Sequence, residues 1–178
     1  EFTNKVNKIE NSINLTLGQP DFKVSRDIKN AIIKAINEDN TIYTDNYGID
    51  ELRKEVSKYL SYKNINYKKE EIIITSGSSE GLFSSIATLI NKGDRILIPS
   101  IGYPAYENII EILGGEIITY ELDDNFKIDM EDLKLKLNYN KVKIIILSHP
   151  SHPTGSVLEL NEYEILSEIL KDKNLYII

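Results

Sequence analysis

Short apolar runs alternate with helical patterns from residue 72 onward, and this alternation restricts the fold more than any other feature of the chain. The runs are 72–75, 95–98, 116–120, 142–147 and 175–178. Because their apolar residues are nearly consecutive, they predict strands covered on both faces. Between them, apolar residues recur at three- and four-residue spacing, which predicts amphipathic helices. Repeated β-α-β units of this kind predict an α/β fold with a mainly parallel sheet.

The chain before residue 72 shows a different pattern. Residues 1–24 have little periodicity, and a glycine and a proline near their end disfavour a regular element, so we predict an arm. An amphipathic helix is predicted to follow, with Ser25 as its N-cap. A second helix is predicted after Gly48.

Composition excludes several classes of protein. The 178 residues contain 21 Lys and Arg against 28 Asp and Glu, which gives a net charge of −7 and disfavours a nucleic-acid reader. With no cysteine, the chain has no disulfide, thiolate metal site or cysteine nucleophile. No apolar run approaches the roughly 20 residues that a membrane helix needs. We therefore expect a soluble, cytoplasmic protein with neither a nucleic-acid nor a membrane partner.

The first motif is the small polar turn Thr75-Ser76-Gly77-Ser78-Ser79-Glu80-Gly81 between a predicted strand and a predicted helix. Unpaired amides at a helix start favour an anion, and the hydroxyls of Ser78 and Ser79 would add donors for a phosphate. An ordinary serine-capped turn is the alternative. The motif also satisfies G-x-S-x-G, which would make Ser79 the nucleophile of an α/β-hydrolase, with His149 or His152 as its base.

The second motif is Pro99-Ser100-Ile101-Gly102-Tyr103-Pro104-Ala105-Tyr106, just after the next predicted strand. Because the carboxyl ends of parallel strands meet at one edge of a sheet, Tyr103 is placed to stack on a planar ring there. The alternative is that Tyr103 and Tyr106 simply pack beneath the following helix, and this is what we expect of Tyr106.

The third motif is Ser148-His149-Pro150-Ser151-His152-Pro153-Thr154-Gly155, which also follows a predicted strand. Two prolines and a glycine fix the backbone of this loop, so the side chains between them have defined directions. His149 and His152 are the only histidines of the chain, and no third ligand lies nearby in sequence. We therefore predict no metal site.

Taken in order, these motifs resemble those of the class I/II aminotransferases, fold type I enzymes that depend on pyridoxal 5'-phosphate (PLP). The resemblance runs from about Leu15 to Ile178 and includes two further motifs, Gly18-Gln19-Pro20-Asp21-Phe22 and the segment from Tyr43 to Gly48 followed by Glu51-Leu52-Arg53. It implies a three-layer α/β/α large domain, truncated and preceded by an arm and a helix. Residues 1–45 would be the arm and a small-domain helix, and residues 46–178 the first part of the large PLP-binding domain.

The resemblance also implies roles for residues at the cofactor. Gly77, Ser78 and Ser79 would form the cradle for the PLP phosphate. Tyr103 would stack on the pyridine ring. His152 stands where the family usually has an asparagine that bonds to the phenolic oxygen of the ring, and an imidazole N–H could make the same bond.

Two further roles concern the substrate and the partner. Gly18 would lie beside the substrate carboxylate through its backbone. Tyr43 resembles the tyrosine that reaches the PLP phosphate of the partner subunit in a homodimer. The implied reaction transfers an amino group between an amino acid and a 2-oxo acid.

The chain departs from the family pattern in two ways. Both asparagines of the usual Asn-Pro-x-Asn-Pro-Thr-Gly motif are histidines here, His149 and His152. In addition, the pyridine-binding aspartate and the Schiff-base lysine would lie beyond residue 178, so we expect an N-terminal portion of the enzyme with no catalytic residue of its own. It would be inactive alone. A PLP-dependent lyase or decarboxylase of the same fold, or a non-catalytic remnant, is the alternative.

Overall fold

The computed structural model describes residues 2–6, 8–13 and 18–178. Part of the predicted arm, and Leu15 at the start of the resemblance, lie outside the described residues. The chain divides into two compact units, Glu1–Ile73 and Ile74–Ile178. The predicted domain boundary after residue 45 stays a prediction.

The first unit is helical. Its elements are α1 (Phe2–Val6), α2 (Arg26–Asn37), α3 (Asp50–Ser61) and a 3₁₀ turn (Lys69–Glu71). The predicted helices after Ser25 and Gly48 are confirmed, and the Ser25 hydroxyl accepts a hydrogen bond from the N–H of Ile28 at 3.4 Å. The short α1 was not expected in an arm.

An acidic side chain joins α3 to the 3₁₀ turn within this unit. The Asp50 carboxylate lies 2.6 Å from the Nζ of both Lys54 and Lys69. These hydrogen bonds lower the pKa of Asp50 to about 2, and the bond from Lys54 makes the largest contribution. The carboxylate therefore stays charged throughout the neutral and mildly acidic range.

The second unit contains the sheet. Its strands are β1 (Arg95–Pro99), β2 (Glu116–Tyr120), β3 (Val142–Ile145) and β4 (Tyr176–Ile177), and its helices are α4 (Gly77–Leu89), α5 (Ala105–Ile112), α6 (Met130–Tyr139) and α7 (Leu160–Leu170). The strand order is β2-β1-β3-β4, and every neighbouring pair is parallel. The predicted mainly parallel sheet is confirmed.

Helices cover both faces of this sheet. Leu97 of β1 belongs to a buried cluster that includes Leu133 of α6 and Leu166 of α7. Its neighbours Ile96 and Ile98 belong to a second cluster, with Ile86 of α4 and Tyr106, Ile109 and Ile110 of α5. Successive side chains of a strand point to opposite faces, so β1 lies between the two helix layers. The α/β/α layering expected from the resemblance is confirmed, and it explains why the apolar run of β1 is continuous.

One predicted strand is absent. The run 72–75 has no regular secondary structure, so this prediction is wrong. A strand requires a neighbour that completes its ladder of hydrogen bonds, and none of the described strands pairs with this segment. The apolar sequence indicates burial there but does not supply the neighbour.

Among the helices of the described residues, none combines the length and the apolar composition that a membrane crossing requires.

Candidate functional site

The first part of the candidate site is the start of α4. Gly77 begins this helix with φ of +80°, a left-handed conformation that glycine adopts without a steric penalty. No atom lies within 4 Å of the position that a Cβ of Gly77 would take. Two hydrogen bonds fix the turn: the Gly77 N–H donates to the Thr75 carbonyl at 2.9 Å, and the Thr75 hydroxyl donates to the Gly77 carbonyl at 3.0 Å. The backbone in front of the helix is therefore ordered and open.

The donors at this helix start point to an anion. Within the described part of the chain, the amides of Ser78 and Ser79 and their hydroxyls have no hydrogen-bond acceptor. Unpaired amides and the helix dipole favour negative charge at such a position. The Glu80 carboxylate already accepts the N–H of Ser76, so that amide is not available to an anion. The remaining amides, hydroxyls and open space fit a phosphate group.

The second part of the site is an aromatic residue after β1. The ring of Tyr103 meets the ring of Tyr106 edge-on, with centroids 5.7 Å apart, and the ring of His152 edge-on at 5.3 Å. A cavity of about 250 Å³ opens at this loop and is lined by residues 98–104, Tyr106 and Glu107. Tyr106, in the first turn of α5, is buried in the cluster that this helix forms with β1, as predicted. The ring of Tyr103, beyond the carboxyl end of β1, is thus held by contacts with two other rings.

The third part is the loop that carries His152. Two backbone hydrogen bonds close this loop after β3: the Ser151 N–H donates to the Ser156 carbonyl at 2.9 Å, and the Gly155 N–H donates to the Ser151 carbonyl at 2.8 Å. The loop brings the exposed His152 against Tyr103. Two motifs separated by about 50 residues therefore meet.

The start of α4 and the loop of Tyr103 share one hydrophobic cluster. Leu82, one turn after the Ser78 amide, packs against the same buried residues as Tyr103, and both sit on the α4 and α5 side of the sheet. A phosphate at the helix start and a ring at Tyr103 are features that one ligand could combine. A phosphate donor set and an aromatic platform with a polar edge together suit PLP.

Gly18 and Tyr43 belong to the other compact unit. Tyr43 is fully exposed, and no atom lies within 4 Å of where a Cβ of Gly18 would stand. Their roles toward the substrate and the partner subunit stay predictions.

The structure gives no support to a serine nucleophile. In the described part of the chain, the Ser79 hydroxyl has no hydrogen bond to either histidine, so the pair that a serine hydrolase needs is not assembled. The role of Ser79 as a phosphate donor stays a prediction.

Sequence reasoning missed three contributors to this region. Gly102 is required because a Cβ there would lie 2.8 Å from the Cγ of Pro99. Glu80 accepts the N–H of Ser76, and its spacing of four residues from Ser76, close to that of a capping box, is a signal in the sequence. His149 has both ring nitrogens buried without a partner among the described residues, and no sequence signal indicates this.

Comparison with known proteins shows the family of the chain. The sequence model of the family "Aminotransferase class I and II" matches residues 10–178. A probable aspartate aminotransferase of Methanocaldococcus jannaschii is 42% identical over 93% of this chain and 44% of its own length. A probable N-acetyl-LL-diaminopimelate aminotransferase of Bacillus subtilis is 37% identical over all of this chain and 46% of its own length. The chain thus spans under half the length of these relatives.

Solved structures give the same result. An alanine aminotransferase from Pyrococcus furiosus superimposes with a TM-score of 0.82 at 26% identity, over 88% of this chain and 40% of that one. A mutant of the Thermus thermophilus aspartate aminotransferase gives 0.84 at 26% identity, over 92% and 46%. These are fold type I enzymes, and their family uses PLP. This chain belongs to the class I and II aminotransferase family.

Proposed function

We propose that this chain forms part of a PLP-dependent aminotransferase that transfers an amino group between an amino acid and a 2-oxo acid. The observation that carries the proposal is the open donor set at Ser78 and Ser79, on the same side of the sheet as Tyr103. Family membership supports the reaction class. The relatives named above act on different amino acids by their names, so we propose no single substrate.

Ser78 and Ser79 would hold the phosphate through their amides and hydroxyls. Charge-assisted hydrogen bonds of this kind are short and strong, and the helix dipole adds to them. Gly77 keeps the approach open because it has no side chain and because its left-handed φ would strain any other residue. The phosphate would therefore anchor the cofactor at the helix start.

Tyr103 and His152 would hold the ring. The Tyr103 side chain offers an aromatic face, and its edge-on contacts with Tyr106 and His152 restrict its rotation. An N–H of His152 would donate to the phenolic oxygen. When bound, PLP supplies an electron sink for the negative charge that develops on the α-carbon of the substrate. The residues of this chain orient that group and do not themselves move the proton.

Gly18 and Tyr43 complete the proposal outside this unit. The backbone of Gly18 would lie beside the substrate carboxylate, and Tyr43 would reach the phosphate bound by the partner in a homodimer. Its full exposure leaves Tyr43 available for such a contact. A cytoplasmic location is part of the same proposal.

The 178-residue polypeptide by itself would not transaminate. No lysine lines the cavity at Tyr103, and lysines of this unit are engaged elsewhere: Lys127 with Glu162 and Lys143 with Asp94. The test is to add PLP and an amino-acid pair to the purified chain, measure 2-oxo acid, and map borohydride reduction by mass spectrometry. We expect neither turnover nor a unique labelled lysine. Steady turnover, or reduction at one lysine, would contradict this part of the proposal.

The phosphate cradle is tested in a cofactor-loaded enzyme that contains this segment. Replacing Ser78 and Ser79 by leucine removes two hydroxyl donors and fills the approach, so PLP affinity should fall about tenfold or more, since a hydrogen bond to a charged group contributes about 1.5–3 kcal/mol. Ser85→Leu, at an exposed position further along the same helix, is the matched control and should leave affinity unchanged. Equal affinity in all variants would refute the cradle. Covalent labelling of Ser79 by a fluorophosphonate would instead support a hydrolase.

A further inference from the structure

His149 occupies an unusual position for a polar side chain. Both of its ring nitrogens are buried, and neither has a hydrogen-bond partner among the described residues. A neutral imidazole carries one donor and one acceptor, and leaving them unpaired away from water costs free energy. Such groups are rare and call for an explanation. The cofactor contacts proposed above do not use His149.

None of the described residues around His149 forms a hydrogen bond with its ring. On α7, the Tyr163 ring meets the imidazole at a steep angle, with centroids 6.5 Å apart. The neighbouring Glu162 carboxylate accepts Lys127 Nζ at 2.8 Å and the Glu159 N–H at 2.6 Å. Both of these bonds end on Oε2 of Glu162, and the carboxylate makes no hydrogen bond to the imidazole.

This environment favours the neutral imidazole. Burial lowers the pKa of His149, while the backbone of Ser156 and the charge of Glu162 act in the opposite direction and are outweighed. Neither ring nitrogen reaches an acceptor at hydrogen-bonding geometry. A protonated ring has two donors to satisfy, and neither has an acceptor in the present position, so the ring must move toward water or toward Glu162.

His149 is coupled to the candidate site through its loop. Ser156, whose backbone faces the imidazole, accepts the hydrogen bond from Ser151 that closes residues 151–156. His152 lies within this closed segment and contacts Tyr103. A displacement of the His149 ring therefore disturbs the segment that presents His152.

We propose that His149 is a pH-sensitive positioning residue, whose neutral ring supports the loop 148–156 and whose protonation releases that loop and the His152 that it carries. The titratable and charged groups around it are Glu162 and Tyr163 on α7, Lys127, which pairs with Glu162, and His152 on the same loop. The loop movement stands independently of any ligand. Its effect on a bound cofactor rests on the proposed function.

Nuclear magnetic resonance on the 178-residue chain tests the loop movement directly, because the chain has only two histidines. The two imidazole signals are assigned with His152→Asn and followed from pH 8 to pH 5. We expect the His149 signal to titrate below the ordinary histidine value of about 6.5. The amide signal of Gly155 should shift with the His149 midpoint, and His149→Asn should abolish that shift.

A second variant keeps the proposal testable if His149→Asn does not fold. Glu162→Gln keeps an acceptor for the Glu159 N–H but removes the charge that favours protonation of His149, so the midpoints of His149 and Gly155 should fall together. A His149 that titrates at the ordinary value, or a Gly155 amide that follows His152 instead, would overturn the proposal.

A last measurement separates this inference from the proposed function. In the cofactor-loaded enzyme, the absorbance of bound PLP should change at the His149 midpoint. If the loop signals follow His149 while the absorbance does not, the loop proposal stands and the role of His152 at the cofactor ring is wrong.

Discussion

Gly102→Ala tests the packing that holds Tyr103 in place. The backbone of Gly102 is not left-handed, so the substitution acts through space and not through φ. Its Cβ would lie 2.8 Å from the Cγ of Pro99 and 3.5 Å from two ring carbons of Tyr106. Carbon atoms pack best at about 3.5–4.0 Å, so the new methyl group is roughly 0.7 Å or more too close to Pro99.

The side chains around Gly102 have little freedom to move away from this methyl group. Pro99 has a rigid ring, is buried, and pairs with Tyr120 across the sheet. Tyr106 is only 7% exposed. Overpacking of this kind costs about 1–3 kcal/mol, and the reduced entropy of the unfolded chain returns about 0.4–1 kcal/mol. We therefore expect a net loss of about 1–2 kcal/mol and a displaced Tyr103.

Gly81→Ala is the matched control, because the chemical change is the same and the surroundings differ. Gly81 lies inside α4, and its Cβ would be 3.4 Å from the hydroxyl oxygen of Thr75, an ordinary contact. Alanine in a helix interior is favoured over glycine by about 0.5–1 kcal/mol. This variant should therefore be more stable than the parent chain.

Urea unfolding followed by circular dichroism measures both effects. With an m value of about 1–3 kcal/mol/M, the midpoint should fall by roughly 0.5–1 M for Gly102→Ala and rise for Gly81→Ala. The m values should not change. An unchanged midpoint for Gly102→Ala, or equal losses for both variants, would refute the close contact with Pro99.

Three further predictions concern the site, the charges and the core. In the cofactor-loaded enzyme, His152→Asn should shift the pH at which bound PLP changes its absorbance, because the group bonded to the phenolic oxygen changes; identical titrations would show that His152 does not touch the ring. The pKa of Asp50 is depressed in the folded chain, so its bonds to Lys54 and Lys69 stabilise the fold at pH values above the ordinary aspartate pKa of about 3.9. This contribution is lost as the pH falls toward about 2. Asp50→Asn should therefore lower the thermal midpoint at pH 7 but not at pH 2. Leu133→Ala should cost about 2–5 kcal/mol in urea unfolding, because this side chain is fully buried, whereas the half-exposed Leu135 on the same helix should tolerate alanine within about 0.5 kcal/mol.

Most of the fold was predictable from local sequence. Six of the described helices and four strands lie where periodicity and continuous apolar runs predict them. The strands are recognisable because a strand of a parallel sheet that is buried on both faces has apolar residues at consecutive positions. The strand predicted at 72–75 is absent for a reason that is not local. Whether an apolar segment becomes a strand depends on a neighbour elsewhere in the chain, which periodicity does not report.

The candidate site was predictable in composition but not in geometry. The donors at Ser78 and Ser79 follow from the rule that helix starts have unpaired amides. The edge-on contact between Tyr103 and His152, and the unpaired nitrogens of His149, depend on how two loops pack. Side-chain orientation in loops is set by tertiary contacts, so spacing along the chain does not predict it.

The position of β1 between two helix layers has a consequence for the site. Ile96 and Ile98 face α4 and α5, while Leu97 faces α6 and α7. Deleting one residue within β1 would invert this parity for the strand residues that follow the deletion and turn them toward the other layer. The loop after β1 would then leave the strand toward the opposite layer, away from the start of α4. The odd or even count of residues along one strand therefore decides whether Tyr103 and the Ser78 amide share a side of the sheet.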